Sequence, residues 1–182
     1  GEEIAEEYEK GRASLSSSQK FLTMELRPYQ EKVNKDKKEE EIKPDKSFEL
    51  ELWTWDEYEV PTLQTRSRYS HPQYSKYIYD ITSKKLTEVA PGHADLLEPD
   101  RAEEIHYVLY TDETPYRSQK DWLNEMPFDI YSVNVHTGEK QLVGRSYRTR
   151  PRWSVNGKWA VMYDPVAQVW NKFDGTTGKV ID

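Results

Sequence analysis

The chain has 182 residues, a net charge of −7, a 35% hydrophobic share and a 13% aromatic share. That length suits one ordinary domain, and apolar surface carried on large rings excludes wholesale disorder, which is poor in aromatics. The acidic balance argues against a phosphate-tracking nucleic-acid surface, no apolar run approaches the ~18 residues of a membrane span, and the lack of cysteine removes disulfides and thiolate chemistry.

Residues 1–12 place Ile4, Ala5 and Tyr8 at helical spacing before Gly11, which reads as a short helix or as an irregular terminus. No basic, apolar leader follows Gly1, so any targeting segment is expected to be cleaved or never present. Leu15–Leu26 (LSSSQKFLTMEL) then gives a serine turn and an alternating strand. Residues 31–46 carry twelve charged side chains in sixteen positions with mixed sign, as in a solvated insertion loop. From Ser47 the period is two. Phe48, Leu50 and Leu52 alternate with Glu49, Glu51 and Trp53, and further strands are expected at 106–110, 129–135, 158–163 and 168–173. Asn156-Gly157 between alternating flanks predicts a tight hairpin, because both residues tolerate positive φ.

Three segments superimpose without gaps: Tyr79–Val89 (YDITSKKLTEV), Val133–Val143 (VNVHTGEKQLV) and Phe173–Asp182 (FDGTTGKVID). Leu15–Leu26 also matches Trp153–Asp164 (WSVNGKWAVMYD). Repeats of roughly 40–50 residues, each with several short strands, predict the stacked blades of a β-propeller, WD-like in scale. The fold expected is all-β: a partial propeller over 13–182 with about three four-stranded antiparallel blade units, near 13–90, 100–145 and 150–182. An open arc leaves unpaired blade faces, so the chain is expected to be a piece of a longer one or to self-associate.

Chemistry is sparse. There is no Gly-x-Ser-x-Gly elbow, no paired histidine spacing for a metal and no glycine-rich phosphate loop, so the expectation is no catalytic residue, no metal and no cofactor. His71, His93, His106 and His136 are scattered. Trp53 and Trp55 share one strand face and form a stacking platform for sugars or prolines, or else pack between blades. Arg145, Arg148, Arg150 and Arg152 form the basic cluster of this acidic chain, and surface pairing with the excess acid is the plain account of it.

The serine turn and strand at Leu15–Leu26 resemble the opening of a blade in the propeller domain of prolyl-oligopeptidase-family serine peptidases. FELELWTWDEYEVPTLQ resembles a V-x-[IVL]-W-x-W-x-D … P-x-Q box of exported, Bacteroidetes-type members, with Trp53, Trp55, Asp56, Pro61 and Gln64 at or beside the pattern positions. Asp56 directly follows Trp55 here, and the Pro61–Gln64 spacing is one residue longer. Residues 111–143 and 151–182 resemble the next two blades in order. The resemblance implies an exported protein, a downstream α/β-hydrolase domain bearing the triad, and a propeller that gates or helps bind peptide substrate. It also implies that Arg148 and Arg150 can hold a substrate carboxylate bidentately. The ligand-binding candidates are therefore Trp53, Trp55, Arg148 and Arg150, and the chain alone is expected to be inert. The alternative is a stand-alone binding or scaffold module, for glycans or a protein partner, with no nucleic acid or membrane involved.

Overall fold

The computed structural model describes residues 8–28, 73–120 and 122–181. They form twelve strands: β1 (Tyr8–Leu15), β2 (Phe21–Pro28), β3 (Ser75–Asp80), β4 (Lys85–Ala90), β5 (Asp95–Leu97), β6 (Tyr107–Asp112), β7 (Phe128–Asn134), β8 (Lys140–Tyr147), β9 (Arg152–Trp153), β10 (Trp159–Asp164), β11 (Val169–Asp174) and β12 (Val180–Ile181). Each consecutive group of four makes one antiparallel meander, in the orders β1-β2-β3-β4, β5-β6-β7-β8 and β9-β10-β11-β12. The single 3-10 segment, Thr114–Gln119, lies between β6 and β7. The expected partial propeller of three four-stranded blades is the architecture observed.

Alternation assigns the faces. On the first sheet Phe21 and Ile78 point forward, onto Val108, Tyr110 and Val133 on the rear of the second, and the linker residues Ala94, Ala102 and Ile105 close the same cluster. The second sheet's own forward residues, Leu109, Phe128, Ile130 and Tyr147, meet Ala160, Met162 and Phe173 of the third. A sheet with one apolar face must bury it against another element, and here the forward faces of the first and second sheets are each covered by the next sheet in the chain. Phe173 anchors the second seam, edge-on to Tyr107 (centroids 6.3 Å apart) and to Trp153 (5.9 Å).

The repeats seen in the sequence are repeats of turn chemistry. Asp80, Asn134 and Asp174 each accept two backbone amides through Oδ1: Thr82 and Ser83, His136 and Thr137, Thr176 and Thr177. Asp164 does the same for Val166 and Ala167. Each turn ends on a left-handed residue: Lys84, Gly138, Gly178 and Gln168. At Gly178 the requirement is double, since φ is +72° and a Cβ there would sit 2.5 Å from the Tyr107 ring. In the serine turns, Ser16 and Ser154 accept the amides of Phe21 and Trp159 through Oγ.

Three expectations change. Tyr8–Arg12, open to a helical reading, run as strand: β1 pairs with β2, and a register shift between Lys10 and Ala13 absorbs Gly11 and Arg12. Asn156-Gly157 is not doubly left-handed. Only Gly157 has positive φ (+68°), while the Asn156 carboxamide is held by Ser154 Oγ (2.9 Å) and the Lys158 amide (3.2 Å). The second blade begins at Asp95 rather than near 100, and runs on to Tyr147. The charged segment 31–46 and the strand expected at 48–55 lie outside the described residues.

Candidate functional site

The leading strands β1, β5 and β9 each occupy the edge of their sheet, and the three edges adjoin on one side of the stack. Trp153 Nε1 of β9 donates to the Leu97 carbonyl of β5 at 2.9 Å. Thr23 Oγ1 of β2 donates to Glu98, just after β5, at 2.7 Å, and Lys76 Nζ of β3 donates to the Ala94 carbonyl at the same distance. β5 and β9 are only three and two residues long. Short edge strands expose few unpaired backbone groups and leave room for side chains.

Between the first two sheets this side opens into a cleft of about 600 Å³, lined by Arg12, Ser14, Thr23, Glu25, Lys76, Asp95, Leu96 and Glu98. A neighbouring cleft of about 320 Å³ lies between β5 and β9, bounded by Leu96, Glu98, Asp100, Arg152 and Trp153. Both signs of charge occur in the larger one: two cations, Arg12 and Lys76, face three carboxylates, Glu25, Asp95 and Glu98.

Of the residues singled out in the sequence, Arg152 bounds the smaller cleft and Arg150 reaches the larger one through Asp95. Its guanidinium meets the Asp95 carboxylate at 2.5 Å, with both side chains more than half exposed. That is the plain pairing with excess acid, and exposed pairs of this kind are worth little in stability. Arg148 follows β8 and is exposed. Trp53 and Trp55 lie outside the described residues. Asp95, Glu98, Lys76, Glu25 and Arg12 carried no signal in the sequence. They come from four different strands or their flanks: pairing within the first sheet brings Arg12, Glu25 and Lys76 together, and stacking of the second sheet adds Asp95 and Glu98.

A second polar cluster sits on the seam near the far ends of β6 and β7. Tyr110 stacks on Tyr131 with centroids 5.0 Å apart, and burial, with Tyr131, Asp112 and Glu88 adding, pushes the Tyr110 hydroxyl up to about 12. Burial works against ionisation of Asp112, yet the Thr114 hydroxyl and amide and His93, 3.5 Å away, hold it below the usual carboxylate range. Buried Asp129 accepts the Tyr116 hydroxyl at 2.6 Å and the Ser146 amide at 3.1 Å. The Thr114 amide on Asp112 and the Tyr116 hydroxyl on Asp129 pin the 3-10 segment to β6 and β7, so the cluster is structural.

For nucleophilic catalysis a hydroxyl must hydrogen-bond a base. Among the described residues, Ser16 and Ser18 bond to each other, Ser17 to the Asp100 carbonyl, Ser83 to Asp80 and Ser154 to Asn156, while the buried Ser132 hydroxyl meets no base. His93, His106 and His136 face carboxylates at 3.5–3.8 Å. No group of three or more His, Asp or Glu side chains among the described residues is arranged to hold a metal ion. No described helix is long and apolar enough to cross a membrane. The arrangement at the leading edges can bind a polar ligand through complementary charges.

No protein-family model matches the chain, and no curated protein matches it. Among solved structures, TolB from Acinetobacter baumannii aligns with 93% of this chain at 12% identity and a TM-score of 0.37. The chain spans 31% of that protein's length. A likeness of that degree carries no argument about ligands, and the blade architecture rests on the three stacked meanders.

Proposed function

We propose that this chain is a non-catalytic β-propeller-type binding module whose ligand is a polar peptide segment held in the mixed-charge cleft beside β5. The observation that carries this reading is the pairing of opposite charges across one open cleft, Arg12 and Lys76 against Glu25, Asp95 and Glu98. A peptide offers both signs at its termini and amide groups between them, which suits such a lining better than a uniformly charged ligand. The large rings of the second seam, Tyr107, Phe173 and Trp153, are committed to sheet packing and leave no stacking platform there.

A second reading is favoured by the sequence alone. The order of blade motifs over residues 13–182 resembles the exported prolyl-oligopeptidase family, in which the same cleft would gate or steer peptide substrate toward a hydrolase domain. In that reading Arg150, alternating between Asp95 and a ligand carboxylate, is the substrate contact.

The test is fluorescence anisotropy of the 182-residue protein with a labelled oligopeptide panel varied in terminal and side-chain charge. Binding is expected to weaken with salt, and Lys76→Ala and Asp95→Ala should each cost roughly three- to tenfold in Kd, or about 0.7–1.4 kcal/mol. Unchanged affinity in both variants would overturn the assignment of the cleft. Labelling of the protein by an active-site serine probe would overturn its non-catalytic character.

A further inference from the structure

Asparagine precedes glycine once in this sequence, at Asn156-Gly157 in the turn between β9 and β10. The pair is chemically labile. With no side chain to obstruct it, the Gly157 nitrogen can reach the Asn156 carboxamide carbon and close a five-membered ring.

The folded turn holds both partners away from that reaction. The Gly157 N–H must lose its proton before the nitrogen can attack, and it donates to the Ser154 carbonyl at 2.9 Å. The carboxamide is fixed through Oδ1 by the Ser154 hydroxyl and the Lys158 amide, and the Ser154 hydroxyl oxygen itself accepts the Trp159 amide at 3.2 Å. Ser154 therefore restrains nucleophile and electrophile at once. The guard is shallow, because Asn156 is exposed and β9 has only two residues. Local opening is cheap where so few contacts are lost.

The first sheet builds the same turn from other residues. Ser18 stands in the place of Asn156, and Gln19, with φ +56°, in that of Gly157. Lability at this position thus belongs to the third sheet and is not a requirement of the turn. Once opened and altered, the turn has little room to return. A Cβ on Gly157 would lie 2.8 Å from Ala102 and 2.9 Å from Pro99, and the Gly157 carbonyl lies against Gly175.

We infer that Asn156 is a self-modification site, converted to isoaspartate through transient opening of the turn that Ser154 holds shut. The Gly157 nitrogen gives up its proton to solvent and bonds to Asn156 Cγ. The Cγ–Nδ2 bond then breaks, and ammonia leaves with a proton. Water opens the resulting succinimide at one of its two carbonyls. Cleavage at Cγ gives aspartate, whereas cleavage at the main-chain carbonyl gives isoaspartate, with the chain running through Cγ. One water enters, one ammonia departs, and nothing is oxidised or reduced. Aspartate keeps an acceptor for Ser154 and Lys158, so its turn re-forms. Isoaspartate lengthens the main chain by one carbon and unseats Gly157 from Pro99 and Ala102. The reaction needs no ligand and is independent of the peptide cleft.

The test is incubation of the wild-type protein in neutral buffer, followed by mass spectrometry of the tryptic peptide 153–158, which ends at Lys158. That peptide should gain one mass unit with time and split into aspartyl and isoaspartyl peaks. Peptides holding Asn124, Asn134 and Asn171 should stay unchanged over the same period. Ser154→Ala should speed the change roughly tenfold in buffer, through loss of its hydroxyl hydrogen bonds, and leave it unaltered in guanidinium. Asn156→Ser, the first sheet's own solution, should fold with an unaltered melt and show no mass gain. Hydrogen exchange over 153–160 should be faster in the isoaspartyl fraction than in the aspartyl one. Absence of an isoaspartyl peak overturns the proposal, as does a Ser154→Ala rate in buffer at or below that of the wild type. A reading that needs no variant is the wild-type rate itself, which should be slower in buffer than in guanidinium; equal rates overturn the gating by the turn.

Discussion

Asp174 shows how a single carboxylate organises a blade. The Thr176 and Thr177 amides hold its carboxyl below the ordinary range, so the folded protein binds that proton less readily than the unfolded chain does. The sign follows from linkage. This contribution to stability is complete above the unfolded value of about 3.9 and is lost as pH falls through the lower folded value. Asn134 performs the same double acceptance with no charge. Asp174→Asn should therefore fold, lose some stability at neutral pH, and converge on the wild type in acid. Urea midpoints between pH 2.5 and 7 would show the two curves closing, and a gap independent of pH would contradict the account. At this scale the sequence was readable where chemistry is local: aligning Asp80, Asn134 and Asp174 exposes the turn. Arg150 and Asp95 lie 55 residues apart, and nothing local links them.

At the scale of elements, turn residues decide which substitutions are tolerated. Lys84 has φ +56° where the two other copies of its turn carry Gly138 and Gly178. A non-glycine residue in the left-handed region is strained by Cβ contact with its own backbone, while glycine costs more unfolded-state entropy. The difference favours Lys84→Gly by about 0.5–1 kcal/mol. It should appear as a higher urea midpoint with an unchanged slope. The strands β6, β7, β10 and β11 were legible in the sequence because each is long enough to show alternation. β5 and β9 were not, since strands of three and two residues carry no period. β1 misleads in the other direction: Tyr8 falls at helical spacing from Ile4 and Ala5, and only pairing with β2 makes it strand.

For the whole molecule, the second sheet is covered on both faces while the first and third each lend one face to the described core. Local opening is cheapest where few apolar contacts are lost. Amides of β6 and β7 should therefore exchange slowest, and those of β9 and β12 fastest, at protein concentrations low enough to keep the chain monomeric. Mass-spectrometric exchange would register this ranking, and equal protection across all three sheets would contradict a sequential stack. Propeller architecture was legible from the repeat, because a repeated unit that cannot bury both faces alone must stack. The cleft was not, because it belongs to the spaces between units.

The order in which faces are covered has a temporal side. Strands pair with their neighbours in the sequence, and the forward faces of the first two sheets are each sealed by the sheet that follows. A ribosome making about 5–20 residues per second needs roughly 3–11 s to supply the second sheet after the first is complete. For that interval Phe21 and Ile78, buried in the finished protein, stand uncovered on the nascent chain. Holdase chaperones that read exposed aromatics would meet this protein in that interval, before its second sheet closes over its first.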